Sequence, residues 1–231
     1  MPLFERAERL SLFQNVCNID SFIDKTILDY GGNSGNLLLD GVATNILNPN
    51  QYTCLDVDIE AITNGKTNYP DADWVIHNTY SPAYNTKGEH NQLFPFKDAS
   101  FDYVFAYSVH SHTTLNSFLY DLSEMYRVCK PGGQIATSIV DSSFCTYLWS
   151  KRVYDYGSAV DFNLIEETVD YGYFINNDIY TKQFDYNLEC KFFIAVYNLG
   201  WLEEVLLQEG YNVQINDTYK TFHQPMVIIN K

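Results

Sequence analysis

The sequence predicts an α/β fold: a doubly wound, mostly parallel seven-stranded sheet with an antiparallel last strand and an insertion after the fifth strand. Three observations predict it. Short apolar runs of strand character alternate with segments of helical periodicity through the first 140 residues. The last two strand signals follow one another with no helix between them, which calls for an antiparallel pair. The 231 residues hold no internal repeat, low-complexity tract or Pro/Gly/Ser-rich linker, so 1–231 reads as one domain.

The elements follow in order. Residues 3–16 are charged and apolar at helical spacing, giving an N-terminal helix within residues 1–20. Thr26-Ile-Leu-Asp-Tyr30 is a short apolar run, stopped by Gly31-Gly32, and a helix opens at Gly35. Gln51–Asp56 is the second strand, and Asp58 is placed to cap the short helix after it. Trp74–His77 is the third strand. A polar loop over 79–92 follows, longer than most connections in this class. Phe101–Tyr107 is the fourth strand. Asn116–Cys129 has apolar residues at helical spacing and stops at Lys130-Pro-Gly-Gly133, and the fifth strand occupies 134–140. Residues 141–190 differ in texture, with 12 aromatic residues, three basic and nine acidic. Regular pattern returns near Phe192. Asn198 caps a helix over 199–208, Gly210 ends it, and Tyr211–Ile215 and Met226–Ile229 are the last two strands.

Composition excludes several classes. With 14 basic and 29 acidic residues the net charge is −15, and the only adjacent basic pair is Lys151-Arg152. Such a chain repels phosphate backbones, so a nucleic-acid partner is not expected. No apolar run reaches the ~18 residues of a membrane span, and the charged first ten residues do not read as a signal peptide. Five cysteines at 17, 54, 129, 145 and 190 form no CxxC pair, which argues against disulfides or structural zinc and for a cytoplasmic setting. The 19 Tyr, 15 Phe and 3 Trp suit either a pocket for rings and apolar groups or simply an aromatic core.

The chemistry concentrates in Ile27-Leu-Asp-Tyr-Gly-Gly-Asn-Ser-Gly35, a glycine-rich turn between a strand and a helix. It matches neither the GxGxxG dinucleotide fingerprint, since Asn stands at 33 and 36, nor the phosphate loop, since no Lys-Ser/Thr follows. Asp56 ends the second strand, 21 residues past Gly35. A carboxylate there is placed to accept both hydroxyls of a ribose. Turn and acid together point to a nucleoside ligand without phosphate. The plainer alternative is an ordinary strand–helix turn and a surface aspartate.

Two further segments extend the pattern: Leu93-Phe-Pro-Phe-Lys-Asp-Ala-Ser-Phe-Asp-Tyr-Val104 and Leu122-Ser-Glu-Met-Tyr-Arg-Val-Cys-Lys-Pro-Gly-Gly133. With the turn at 27–35, they resemble class I, seven-stranded Rossmann-like S-adenosylmethionine (SAM)-dependent methyltransferases. The nearest subgroup is that of the ubiquinone/menaquinone-biosynthesis and small-molecule enzymes. The resemblance runs from about residue 25 to 140, more loosely from 192 to 231. It implies SAM as cofactor, S-adenosylhomocysteine as product and a small-molecule acceptor. It also implies that Asp29, Gly31, Gly32, Asn33 and Gly35 line the methionine end, that Asp56 holds the ribose with Val57 against the adenine, that Asn78 lies at the adenine edge, and that the backbone at Ala106 and Tyr107 meets the cofactor's amino group. Two positions depart from the family pattern: Asn33 stands for a glycine, and His77-Asn78-Thr79 for Gly-Asp-Ala. Asp29 is equally placed as a partner of the helix N-terminus.

Methyl transfer needs a base only when the acceptor must lose a proton. The rim formed by the strands' carboxyl ends nominates His112 after the fourth strand, Asp141 after the fifth and His223 before the last. His112 alternatively serves only the backbone of its loop. His110 and His112 are also a weak candidate metal pair, with no third ligand in view. Residues 141–190 fall where this family builds a substrate cover, and Phe144, Tyr147, Trp149, Tyr171 and Tyr173 are candidates for its apolar wall. The expectation is a SAM-dependent methyltransferase acting at O or N of a small, aromatic or partly apolar acceptor. Methylation of a peptide or protein, and a non-catalytic SAM-binding protein, are the alternatives.

Overall fold

The computed structural model describes residues 9–81, 84–141, 173–176, 180–181, 193–217 and 224–231. In chain order the helices are α1 (Arg9–Val16), α2 (Asn36–Ala43), α3 (Ile59–Asn68), α4 (Leu115–Val128) and α5 (Leu199–Gln208). The strands are β1 (Ile27–Tyr30), β2 (Tyr52–Asp56), β3 (Asp73–Ile76), β4 (Phe101–Ala106), β5 (Cys129–Ser138), β6 (Val140–Asp141), β7 (Tyr173–Asn176), β8 (Tyr180–Thr181), β9 (Phe193–Tyr197), β10 (Val213–Asn216) and β11 (Met226–Asn230).

Seven strands form the main sheet in the order β10-β11-β5-β4-β1-β2-β3. The pairs β1–β2, β1–β4, β2–β3 and β4–β5 are parallel, whereas β11 runs antiparallel to both β5 and β10. The order reverses at β1, with β2 on one side and β4 on the other. An open parallel sheet forms its ligand crevice at such a switch point, outside the carboxyl ends of the strands.

The central strands are buried on both faces, so they read as continuous apolar runs. Leu28, Tyr30, Leu55, Val104 and Ala106 face a core completed by Phe118, Leu122 and Met125 of α4 and Leu202 and Leu206 of α5. Ile27, Tyr52, Cys54 and Phe105 face the other, completed by Leu10 and Phe13 of α1, Leu37 and Leu38 of α2 and Ile62 of α3. Local chemistry sets the helix starts. The Asp58 carboxylate accepts the amides of Glu60 and Ala61, and the Asn198 side chain accepts that of Trp201. Among the described residues no helix is long and apolar enough to cross a membrane.

The segments at 93–104 and 122–133 prove to be tied to one another. Arg127 donates to Glu124, to Asp98 and to the carbonyls of Phe94 and Phe96, while Glu124 accepts the Phe94 amide at 2.8 Å. This bidentate fork fixes the loop entering β4 against α4.

Two expectations require correction. Lys130-Pro-Gly-Gly133 does not separate helix from strand, because β5 begins directly at Cys129 and the β4–β5 register slips between Phe101 and Tyr103 to take up the extra residues. The insertion also builds a second sheet, β6-β9-β7-β8, that the sequence reading did not foresee. There β6 pairs parallel with β9, and β7 pairs antiparallel with both β8 and β9. The rest of 141–190, with Phe144, Tyr147, Trp149 and Tyr171, lies outside the described residues, as do residues 1–8 of the expected N-terminal helix.

Candidate active site

The turn after β1 carries three residues in the left-handed region: Gly31 at φ 71°, Asn33 at φ 54° and Gly35 at φ 89°. Asparagine enters this region at low cost because its side chain bonds locally. Here Asn33 Oδ1 accepts the Ser34 amide at 2.8 Å. The departure from glycine at 33 therefore leaves the turn intact. The turn is anchored to β2, with the Gly31 amide donating to the Leu55 carbonyl at 2.8 Å and the Asn33 amide to Asp56 Oδ2 at 2.7 Å. Close approach requires glycine at 31 and 32. A Cβ on Gly31 would overlap the Val109 Cγ2 methyl, and one on Gly32 would lie 2.6 Å from Asp29 Oδ2 and 2.8 Å from the Tyr52 hydroxyl.

Asp29 is 3% exposed, and its Oδ2 accepts the Tyr52 hydroxyl at 2.7 Å. Tyr52, not the helix N-terminus, is therefore the partner its hydrogen bond shows. Burial raises the Asp29 carboxyl to about 7, against the opposing pull of Tyr52 and of Arg9. The Arg9 guanidinium lies 4.7 Å from the Tyr107 ring centroid at the end of β4. Asp56 is also buried, and burial raises its carboxyl, opposed by the amides of Asp58 and Asn33 that donate to it at 2.9 and 2.7 Å. Val57 is half-buried beside it.

After β3, the sequence-predicted Asn78 is exposed, and its Oδ1 accepts Asn85 Nδ2 of the following loop at 3.3 Å. Its neighbour His77 is buried against Phe94 and Tyr30, and burial lowers its imidazole. After β4, buried Ala106 and half-buried Tyr107 lead into Ser108, which is left-handed at φ 59°. A single 3-10 turn, His110–His112, follows. His110 turns inward and is fully buried, with Nδ1 2.7 Å from Thr137 Oγ1 and Nε2 3.6 Å from Asp121 Oδ2. It is thereby separated in role from His112, which is half-buried with its amide donating to the Val109 carbonyl. Among the described residues no group of three or more His, Cys, Asp or Glu is placed for a metal ion.

Asp141 is buried in β6, paired with Tyr197 of β9, and β9 packs against the turn 110–112. His223 lies outside the described residues. The sequence reading missed Arg9, Tyr52, His77, Ser108, Val109, Ser138 and Gln224. Only Tyr52 had a usable signal: it alternates with Cys54 and Asp56 and so shares their face of β2.

The donor set indicates the ligand. Two buried carboxylates flank the glycine turn, an arrangement that disfavours a phosphate and favours hydroxyls and cationic groups. A nucleoside bearing an ammonium and a sulfonium fits this set, and a dinucleotide does not.

Comparison with known proteins agrees. The sequence family described as methyltransferase domain matches residues 28–137, the stretch from β1 to β5. It is the domain at large and singles out no subgroup. A Pyrococcus horikoshii OT3 protein of known structure is 14% identical, with 99% of this chain and 96% of that chain covered at a TM-score of 0.55. A SAM-dependent methyltransferase from Aquifex aeolicus is 14% identical, with 96% and 88% covered at 0.52. Streptomyces venezuelae DesVI is 10% identical, with 96% and 92% covered at 0.57. At these identities the structures speak for the fold, and the family match speaks for the activity. The match makes residues 28–137 a methyltransferase domain, and the glycine turn, the acid at the end of β2 and the seven-stranded order fit the class I architecture, whose cofactor is SAM.

Proposed function

We propose that the enzyme methylates oxygen or nitrogen of a small, aromatic or partly apolar acceptor, with His112 as the general base. The observation that carries this reading is one loop. Residues 107–112 pack Val109 against Gly31 and end at half-buried His112. A proton acceptor is thereby held on the same short segment that borders the cofactor turn.

The cofactor assignments follow the donor set. Asp29 and the backbone from Gly31 to Gly35 line the methionine end. Each Asp56 oxygen accepts one backbone amide, so a carboxylate with about four lone-pair sites keeps capacity for two ribose hydroxyls. Val57 and Asn78 border the adenine, and the backbone at Ala106 and Tyr107 meets the amino group.

SAM supplies an activated methyl group whose leaving group is a neutral thioether. The protein's part is alignment and exclusion of water. Bound SAM would give up that methyl group to the acceptor's lone pair, and His112 would take the proton that the acceptor loses. Asp141 is the alternative base at the same rim, and His223, the third candidate from the sequence, lies outside the described residues. Aromatic packing of Phe118 between His110 and Tyr197 supports an apolar surrounding for this rim.

Incubation with methyl-labelled SAM and separate panels of phenols, amines and carboxylic acids tests the reading by mass spectrometry. Products in the phenol or amine panels that vanish in His112→Ala support it. Methylation confined to carboxylic acids, which need no base, overturns it.

A further inference from the structure

The loop that borders the cofactor turn is held by a hydrogen-bonded ring that no sequence motif marked. The Ser108 amide donates to Ser138 Oγ at 2.7 Å, the Ser138 hydroxyl donates to Gln224 Oε1 at 2.6 Å, and Gln224 Nε2 donates back to Ser108 Oγ at 3.2 Å. Ser138 is fully buried and Gln224 is 8% exposed. The ring joins three parts of the chain: the loop after β4, the end of β5 and the residue pair before β11, where the Ile139 amide also donates to the Pro225 carbonyl. The Ser138 hydroxyl both gives and accepts, so the bonds reinforce one another away from water.

The ring holds a backbone that is costly on its own. Ser108 sits at φ 59°, a left-handed conformation that L-residues other than Gly, Asn and Asp rarely keep unless the surroundings impose it. The next residue is Val109, whose methyl occupies the space above Gly31. The conformation of Ser108 therefore decides how closely Val109 closes over the glycine turn, and it sets where the turn 110–112 begins.

We propose that Gln224 is a positioning residue for the cofactor site. Through Ser138 and Ser108 it fixes the seat of the 107–112 loop on Gly31, and the last strand of the sheet thereby sets cofactor affinity from outside the turn. This inference rests on the reading that the turn from Gly31 to Gly35 holds SAM.

Calorimetry with S-adenosylhomocysteine on the full chain tests it without an acceptor. Gln224→Met keeps length and removes both hydrogen bonds, and Ser108→Gly removes the hydroxyl while admitting the left-handed backbone, so the second variant keeps its fold. Each is expected to weaken binding by about fivefold, the worth of one net hydrogen bond. The double variant is expected to be no weaker than either single one, because both break the same ring. Unchanged affinity in either single variant, or losses that multiply in the double variant, overturn the proposal. Asp56→Ala is the reference. If Asp56→Ala weakens binding while Gln224→Met does not, the positioning role alone fails. If neither does, the placement of the cofactor fails first.

Discussion

Replacing Asp29 by Asn makes the largest electrostatic prediction. The carboxyl is 3% exposed, and its hydrogen bond comes from the Tyr52 hydroxyl. Burial moves it from 3.8 to about 7 despite the opposing effects of Tyr52 and Arg9. Between those values the folded protein holds a proton that the unfolded chain has released. Stability from this group is therefore fully present below pH 4 and declines as pH rises toward 7. Three pH units at about 1.4 kcal/mol each give about 4 kcal/mol as the upper bound. Asparagine keeps an acceptor for Tyr52 and abolishes the titration. Urea unfolding of both proteins without SAM, from pH 4.5 to 8, isolates the term as a difference. Asp29→Asn is expected to gain on the native protein by up to about 3 kcal/mol across that range. Stability curves that stay parallel within about 1 kcal/mol would refute the argument, since Asp29 would then ionise alike in both states. In the proposed placement the cofactor's ammonium draws the carboxyl into its charged form. S-Adenosylhomocysteine binding to the native protein should then release a proton near neutral pH, and Asp29→Asn should bind more weakly without that release, as calorimetry in two buffers of different ionisation enthalpy would show.

The other predictions bear on the turn, the base and the surface. Asp56→Ala should weaken SAM binding by about 1–3 kcal/mol, because it removes the ribose acceptor and leaves the Asn33 and Asp58 amides without theirs; unaltered calorimetric affinity would remove the ribose assignment. Gly32→Ala drives a methyl into the Asp29–Tyr52 pair and should lower the melting temperature and SAM affinity together, an effect that a merely permissive glycine would not show. His112→Ala should leave SAM affinity intact and reduce turnover by roughly 10²–10⁴; full activity would return His112 to a structural role and pass the base to Asp141 or His223. With a net charge of −15, binding to tRNA or duplex DNA should be undetectable at micromolar protein in moderate salt, and a measurable shift in electrophoresis would contradict the small-molecule reading.

Much of the fold was legible because its signals are local. The caps at Asp58 and Asn198 and the left-handed turn from Gly31 to Gly35 are decided by neighbouring residues, and each appears as read. The antiparallel pair β10–β11 follows from the lack of a connecting helix. What sequence did not disclose depends on distant partners. Asp29 meets Tyr52 across the β1–β2 ladder, His110 turns inward to Thr137 and Asp121, and the serine–glutamine ring joins residues 108, 138 and 224. Nothing in a linear pattern separates His110, which is wholly buried, from His112 two places later. The second sheet was hidden because two-residue strands such as β6 and β8 carry no readable alternation.

The two ends of the main sheet treat their acids in opposite ways, and that contrast supports the proposed placement of the cofactor without appeal to any motif. At the amino ends of β1, β4 and β5, Asp102 accepts from the Thr26 amide and hydroxyl and from Lys130 at 2.8–2.9 Å. Burial works upward on this carboxyl, but the bonds from Lys130 and Thr26 outweigh it and hold it at about 2. It is a saturated ion-pair site with little left to offer a ligand. Toward the carboxyl ends, Asp29 and Asp56 are more deeply buried, meet fewer donors, and stand above their ordinary range. A buried carboxyl short of donors costs stability in the empty protein. That cost is recovered when a ligand brings the missing donors, and SAM carries an ammonium and two ribose hydroxyls. The same sheet thus closes its amino end with internal salt bridges and leaves two acids at its carboxyl end short of donors, an asymmetry that perturbed acids at a functional rim are expected to show and that supports the proposed cofactor placement.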